Sequence, residues 1–148
     1  MYKVILAAID GSPRSRGVLE AALEIAAGAG AETRVHLFQS VHSPQDYPAA
    51  AHMPADDLPA FLDKETRRSL AALAASHPQV AIEAPDMTTA QPGRAILGAA
   101  ERLNAELIVI GSHGHSGWDR VLATNASRVA DFAPRNVLIV HERPRPLS

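Results

Sequence analysis

The stretch GSHGHSGWDRVLATNAS, from Gly111 to Ser127, carries the strongest chemical signal in the chain. Glycines at 111, 114 and 117 follow the apolar run AELIVI and precede a helical pattern. Glycine in such a place lets backbone N–H groups approach an anion with no β-carbon in the way. The helix that follows presents unpaired N–H groups carrying partial positive charge. The pattern fits a phosphate cradle, and it fits equally a plain strand-to-helix turn, which uses glycine with or without a ligand. Spacing excludes two devices. A P-loop requires G-x-x-x-x-G-K-[ST], and the only lysines, Lys3 and Lys64, stand near no glycine loop. The dinucleotide fingerprint G-x-G-x-x-G is absent both here and after the first apolar run.

Other polar residues gather around the same chemistry. Asp10-Gly11-Ser12 ends the first apolar run, where a carboxylate can accept hydrogen bonds from a nucleoside or simply cap a turn. His113 and His115 form an H-x-H pair, but two imidazoles without a third carboxylate or thiolate make a weak zinc site, and a place in the loop near phosphate suits them better. Ser12, Ser112 and Ser116 are hydroxyl donors to backbone or phosphate rather than nucleophiles, since no G-x-S-x-G elbow exists. Arg16 and Arg120 are the nearest cations for neutralising phosphate, although arginines are also common on plain helix surfaces. Trp118, the only tryptophan, packs beside the loop or at a subunit surface.

The elements that must position these residues are readable from periodicity. Val4 to Ile9 is a buried strand, closed by the turn residues Asp10-Gly11-Ser12-Pro13. Val18, Leu19, Ala22, Leu23 and Ala26 recur at helical spacing between Ser15 and about Ala29. Thr33 to Val41 reads as a second strand, and residues 42–56, with Pro44, Pro48 and Pro54, as a long loop. A helix begins near Leu58 and closes before Pro78, VAIEAPDM supplies a third strand, and Pro92-Gly93 opens another helix. ELIVIG is the fourth strand, Arg120 to Phe132 a helix, and Asn136 to Val140 a fifth strand. Alternation of this kind predicts an α/β domain: a five-stranded parallel sheet with helices on both faces. Ligands in such sheets sit outside the carboxyl ends of strands, where neighbouring crossovers diverge. With the first and fourth strands adjacent, Asp10-Gly11-Ser12 and Gly111 face one crevice.

Composition narrows the partners. At 148 residues and 47% hydrophobic, the chain is sized for one domain with a real core, placed at residues 1–142, with 143–148 a disordered proline-rich tail. A net charge of −2 with mixed signs gives no field to gather nucleic acid or an anionic membrane. No apolar stretch approaches the ~20 residues of a membrane helix, and MYKVILAAIDGS lacks a signal peptide's cleavage site. Absence of cysteine removes disulfides and thiol chemistry and fits the reducing cytoplasm.

Three stretches, VILAAIDGS, ELIVIGSHGHSG and RVADFAPRNVLIV, resemble the universal stress protein family, and the resemblance spans nearly the whole chain. It implies a Rossmann-like sheet of the adenine nucleotide alpha hydrolase type, with strand order 3-2-1-4-5. ATP-binding members are similar in carrying G-x2-G-x9-G-[ST]. Gly111 and Gly114 match its opening, whereas Thr124-Asn125 stand where Gly-Ser or Gly-Thr would fall. In a register one residue shorter, ending G-S-N-A-S, the chain has Ala123-Thr124-Asn125-Ala126-Ser127, so that Ala123 replaces the last glycine and Thr124 keeps the hydroxyl.

The resemblance further implies ATP with Mg²⁺ as ligand. Asp10 and the backbone of Val41 would hold the nucleoside, Gly111 and Gly114 would admit ribose and phosphate, and Ala123, Thr124 and Asn125 would donate to phosphate, with Ser12, His113 and Arg120 as neighbours. It implies a cytoplasmic regulatory or stress-response protein with little or no hydrolysis, paired as a homodimer through the last strand. The alternative is a dimeric interaction module that has lost nucleotide binding. A slow nucleotide hydrolase, which would need a histidine at the α-phosphate, ranks third.

Overall fold

The computed structural model describes residues 2–11, 14–39, 48–85, 91–112 and 124–141. Strand β1, Val4–Ile9, is VILAAI, and its residues from Ile5 onward are all buried, as a continuous apolar run demands when both faces of a sheet are covered. Its neighbour β4, Leu107–Gly111, is LIVIG and is buried from Leu107 to Ile110. β2 (Arg34–Gln39), β3 (Ala81–Ile82) and β5 (Asn136–Val140) complete a five-stranded sheet ordered β3-β2-β1-β4-β5, every pairing parallel. Ile5 pairs with Leu107 and Ala8 with Ile110, while Ile9 pairs with Gln39 on the opposite side. The expected class and strand order therefore hold.

Helices α1 (Ser15–Ala29), α2 (Leu58–Ala74), α3 (Pro92–Leu103) and α4 (Thr124–Phe132) cover the two faces. Alternation along the strands sorts the core into two halves. Ile5, Ala7, Ile9, Leu37 and Val109 pack with Val18, Leu19 and Ala22 of α1 and Leu70 of α2. Leu6, Ala8, Phe38, Ile108 and Ile110 pack with Ile96 of α3 and Val129 of α4. The alanines of α3 that face the sheet, Ala95, Ala99 and Ala100, are all buried, and their small size lets this helix lie close.

Several boundaries differ from expectation. β2 begins at Arg34 instead of Thr33, while its expected end at Val41 lies outside the described residues, and β3 has two residues instead of the longer strand read from VAIEAPDM. Only one side of so short an edge strand has a partner. What holds it is Glu83, whose N–H donates to Leu37 O at 2.9 Å and whose carboxylate lies 2.8 Å from His36 Nδ1. Helix α2 ends at Ala74, ahead of Pro78. The stretch read as an unbroken loop contains single 3-10 turns at Pro48–Ala50 and Ala55–Asp57. The start of the fourth helix between 120 and 123, and the 143–148 tail, lie outside the described residues.

Polar contacts lock the amino-terminal edge of the sheet. Glu106, just before β4, accepts the Lys3 N–H at 2.6 Å and the Val4 N–H at 3.3 Å, and its own N–H donates to Val4 O. Arg135, just before β5, donates through Nη1 to Ala105 O and to Ala100 O, which also accepts the Ala105 N–H, and so fixes the turn from α3 into β4. Asn104 makes that turn in the left-handed region, φ 52°, which asparagine tolerates better than most residues.

The Lys3 N–H, helped by that of Val4, holds the Glu106 carboxyl below its usual pKa of 4.5. A depressed folded-state value means stability that is present above the unfolded pKa and lost as pH falls through the folded one. Urea unfolding should therefore show wild type more stable than Glu106→Gln at neutral pH. The difference should close as the pH drops below 4.5 and through the folded value.

Candidate functional site

The strand order runs outward from β1 to β2 and β3, then returns across the sheet to β4 and β5. The β1/β4 boundary is therefore the switch point, where connections leave in opposite directions and open a crevice at the carboxyl edge. Parallel strands joined by helices place the amino termini of those helices at this edge. Ser15 of α1 and Pro92 of α3 both line the crevice, with Asp10, Arg14, Gly111 and Ser112. Unpaired helix N–H groups and aligned peptide dipoles make its potential favourable to anions.

Asp10 is half-buried and follows β1 directly; its Oδ1 accepts a hydrogen bond from Ser15 Oγ at 3.2 Å. Ser15, at 5% exposure, is itself fixed by packing, so the carboxylate is held from beneath by the first residue of α1. Gly11, φ 79°, then turns the chain through a conformation that residues with a β-carbon rarely adopt.

Across the crevice, Gly111 ends β4. A β-carbon there would lie 3.2 Å from Val18 Cγ2 of α1, tighter than an unstrained contact. Any β-carbon at 111 would therefore make Val18 give way by a few tenths of an ångström, so the approach of α1 to the sheet favours glycine here whether or not a ligand binds. Ser112 follows, its N–H donating to Val140 O at 2.9 Å and its Oγ 3.2 Å from His141 Nδ1.

Of the residues singled out from sequence, Asp10, Gly111 and Ser112 come together at the crevice. Thr124 and Asn125 open α4. Val41, Gly114 and Ala123, together with Ser12, His113 and Arg120, lie outside the described residues. Arg16 is exposed and borders a neighbouring groove between α1 and α2, with Ser69 and Leu73. Among the described residues the cation at the crevice is Arg14. About 100° of rotation separates successive helical residues, so positions two apart face nearly opposite ways. Arg14, Ser15 and the Ser112–His141 pair were missed. The available signal was adjacency to Asp10 for the first two; for the last it was strand register, which sequence does not display.

Gln39 is the one polar residue of β2 that is fully buried, at 1% exposure, and its Oε1 has no hydrogen-bond partner among the described residues. It pairs with Ile9 in register and shares the α1-side face with Leu37 and Val35. Among the described residues no three histidines or carboxylates cluster as metal ligands, and no helix is long and apolar enough to cross a membrane.

A model of the universal stress protein family matches residues 1–141. Universal stress protein A homolog 1 of Coxiella burnetii is 36% identical over 141 residues, which is 94% of this chain and 96% of that protein. A crystal structure of a universal stress protein in complex with cAMP superposes with a TM-score of 0.62 at 23% identity, covering 96% of this chain and 99% of the other. A family member from Arabidopsis thaliana with AMP bound gives 0.59 at 13% identity, covering 95% and 92%.

Three substitutions test this geometry. Gly111→Ala should destabilise by about 1–3 kcal/mol through overpacking, and Val18→Ala in the same chain should recover part of that loss, read as a coupling energy in urea unfolding. Gln39→Met keeps the volume and removes an unmet acceptor, so it should raise the unfolding free energy of the ligand-free protein by about 1 kcal/mol.

Proposed function

The chain belongs to the universal stress protein family, and on that premise we propose that it is an adenine-nucleotide-binding regulatory module, with ATP as ligand and the β1/β4 crevice as site. The observation that carries this reading is the meeting of Asp10, held by Ser15, with Gly111 and Ser112 across the switch-point crevice. The residues present fit such a ligand. Asp10 offers an acceptor to ribose or adenine, and Arg14 and the helix amino termini suit phosphate. Solved relatives in complex with cAMP and with AMP support the class of ligand. Val41, Gly114, Ala123, Thr124 and Asn125 are the further proposed contacts, with Ser12, His113 and Arg120 beside them. Mg²⁺ would be held chiefly by the phosphates and water, in keeping with its usual coordination.

In this reading residues 1–142 form one domain that works in the cytoplasm as a homodimer. β5 suits the dimer contact because it is an edge of the sheet and carries Leu138 at 38% exposure. Hydrolysis is slow or absent, for neither a lysine nor an assigned base stands at the crevice among the described residues.

One observation favours the rival, a dimeric interaction module without nucleotide. Gly111 has a packing reason to be glycine, so its presence alone does not argue for a ligand.

Denaturing the purified protein should release adenine nucleotide in near-stoichiometric yield, seen by mass spectrometry. Calorimetry of stripped protein with ATP and Mg²⁺ should show binding that Asp10→Ala weakens by about ten- to a hundred-fold, the loss of a charge-assisted hydrogen bond. Folded protein giving no heat at millimolar ATP would leave the interaction module as the reading.

A further inference from the structure

We infer that Ser112 and His141 form a ligand-reading pair at the nucleotide crevice, in which the protonation of His141 decides whether the Ser112 hydroxyl accepts from the ligand or donates to an anion. The inference rests on the nucleotide reading and adds to it a residue pair from the ends of β4 and β5.

The pairing is built by the sheet. Gly111 and Val140 are partners in the parallel β4–β5 ladder, so the next residues, Ser112 and His141, emerge side by side at the carboxyl edge. The Ser112 N–H is occupied by Val140 O, which leaves the hydroxyl as the donor that residue can offer to the crevice it lines. Its Oγ lies 3.2 Å from His141 Nδ1.

A hydroxyl has one proton to give. With the Nδ1 lone pair turned toward Ser112, that proton goes to the imidazole. The crevice then meets oxygen lone pairs, suited to a ribose hydroxyl and unfavourable to a phosphate oxygen. Once the imidazole is protonated, Nδ1–H donates to Oγ, the serine proton is free for an anion, and a positive charge stands behind it. Histidine is the side chain whose charge changes across neutral pH, so the pair couples anion affinity to acidity.

Among the described residues the charged groups lining the same crevice are Asp10 and Arg14, and no carboxylate lies within ion-pair distance of His141. Asp10 and Arg14 are common to wild type and to variants at 112 or 141, so the comparison isolates the pair.

The test is nucleotide affinity by calorimetry at about pH 8 and about pH 6, the range in which histidine changes charge, for wild type, Ser112→Ala and His141→Gln. cAMP is the first probe because a phosphodiester keeps a single charge over that range. AMP is the second, read as the ratio of wild type to variant because a phosphate monoester itself titrates near pH ~6. Wild type should bind cAMP about three- to ten-fold more tightly at the lower pH, as expected of one charge-assisted contact, and both variants should lose that slope. For AMP, the ratio should rise by a similar factor.

A slope that both variants retain, or no slope in wild type, overturns the pair while leaving the nucleotide reading intact. Folded protein that binds neither nucleotide at either pH overturns both. Melting temperatures at the two pH values separate a structural role, which would shift stability without moving the slope.

Discussion

Parallel pairing of β1 with β4 is the constraint on which the rest of the molecule depends. These two strands are consecutive in space and separated in sequence by β2, β3 and the helices between them. Burial on both faces drives them together, at about 1.5–3 kcal/mol for each large apolar side chain removed from water. That force is non-directional. A slip of one residue would exchange the two core halves, whereas a slip of two would restore the facing, so burial alone leaves register open. Directional contacts close the question. Glu106 ties the start of β4 to the backbone of Lys3 and Val4, and at the other end Gly111 fits under Val18 of α1.

The same pairing creates the crevice. Chain direction reverses its spatial progress at β1/β4, and helices leaving on opposite faces leave a gap that neither can fill. Among the described residues, the polar groups of the crevice come from the two turns that meet there and the helices that follow. Asp10 comes from β1, Ser112 from β4, and the amino termini of α1 and α3 contribute Ser15 and Pro92. Asp10 accepts a hydrogen bond from Ser15 Oγ, and the helix amino termini at this edge favour a negative charge. Such a setting accommodates a sugar hydroxyl beside Asp10 and a phosphate nearer the helix ends without contradiction.

Edges of the sheet show how strongly neighbours govern short elements. β3 keeps two residues because only β2 flanks it, and the His36–Glu83 contact supplements its sparse ladder. β5 is longer, but it too has one neighbour, and Leu138 stays partly in solvent. Phe132, at the end of α4, is 71% exposed. Apolar character in these elements is therefore not equivalent to burial, in contrast to β1 and β4, where it is.

Sequence by itself determined the α/β class, the two central strands and the helices that carry strong periodicity, because apolar runs and spacing are local properties with one economical burial. It also singled out Asp10 and Gly111, since turn residues at strand ends are local as well. It attributed Gly111 to a ligand or a turn, and only the tertiary structure disclosed Val18 as the neighbour that crowds a β-carbon there. Arg14 in place of Arg16, the unmet amide of Gln39 and the contact of Ser112 with His141 were likewise decided in three dimensions. Each depends on which helix face or strand register meets another element far along the chain, and no local pattern encodes that meeting.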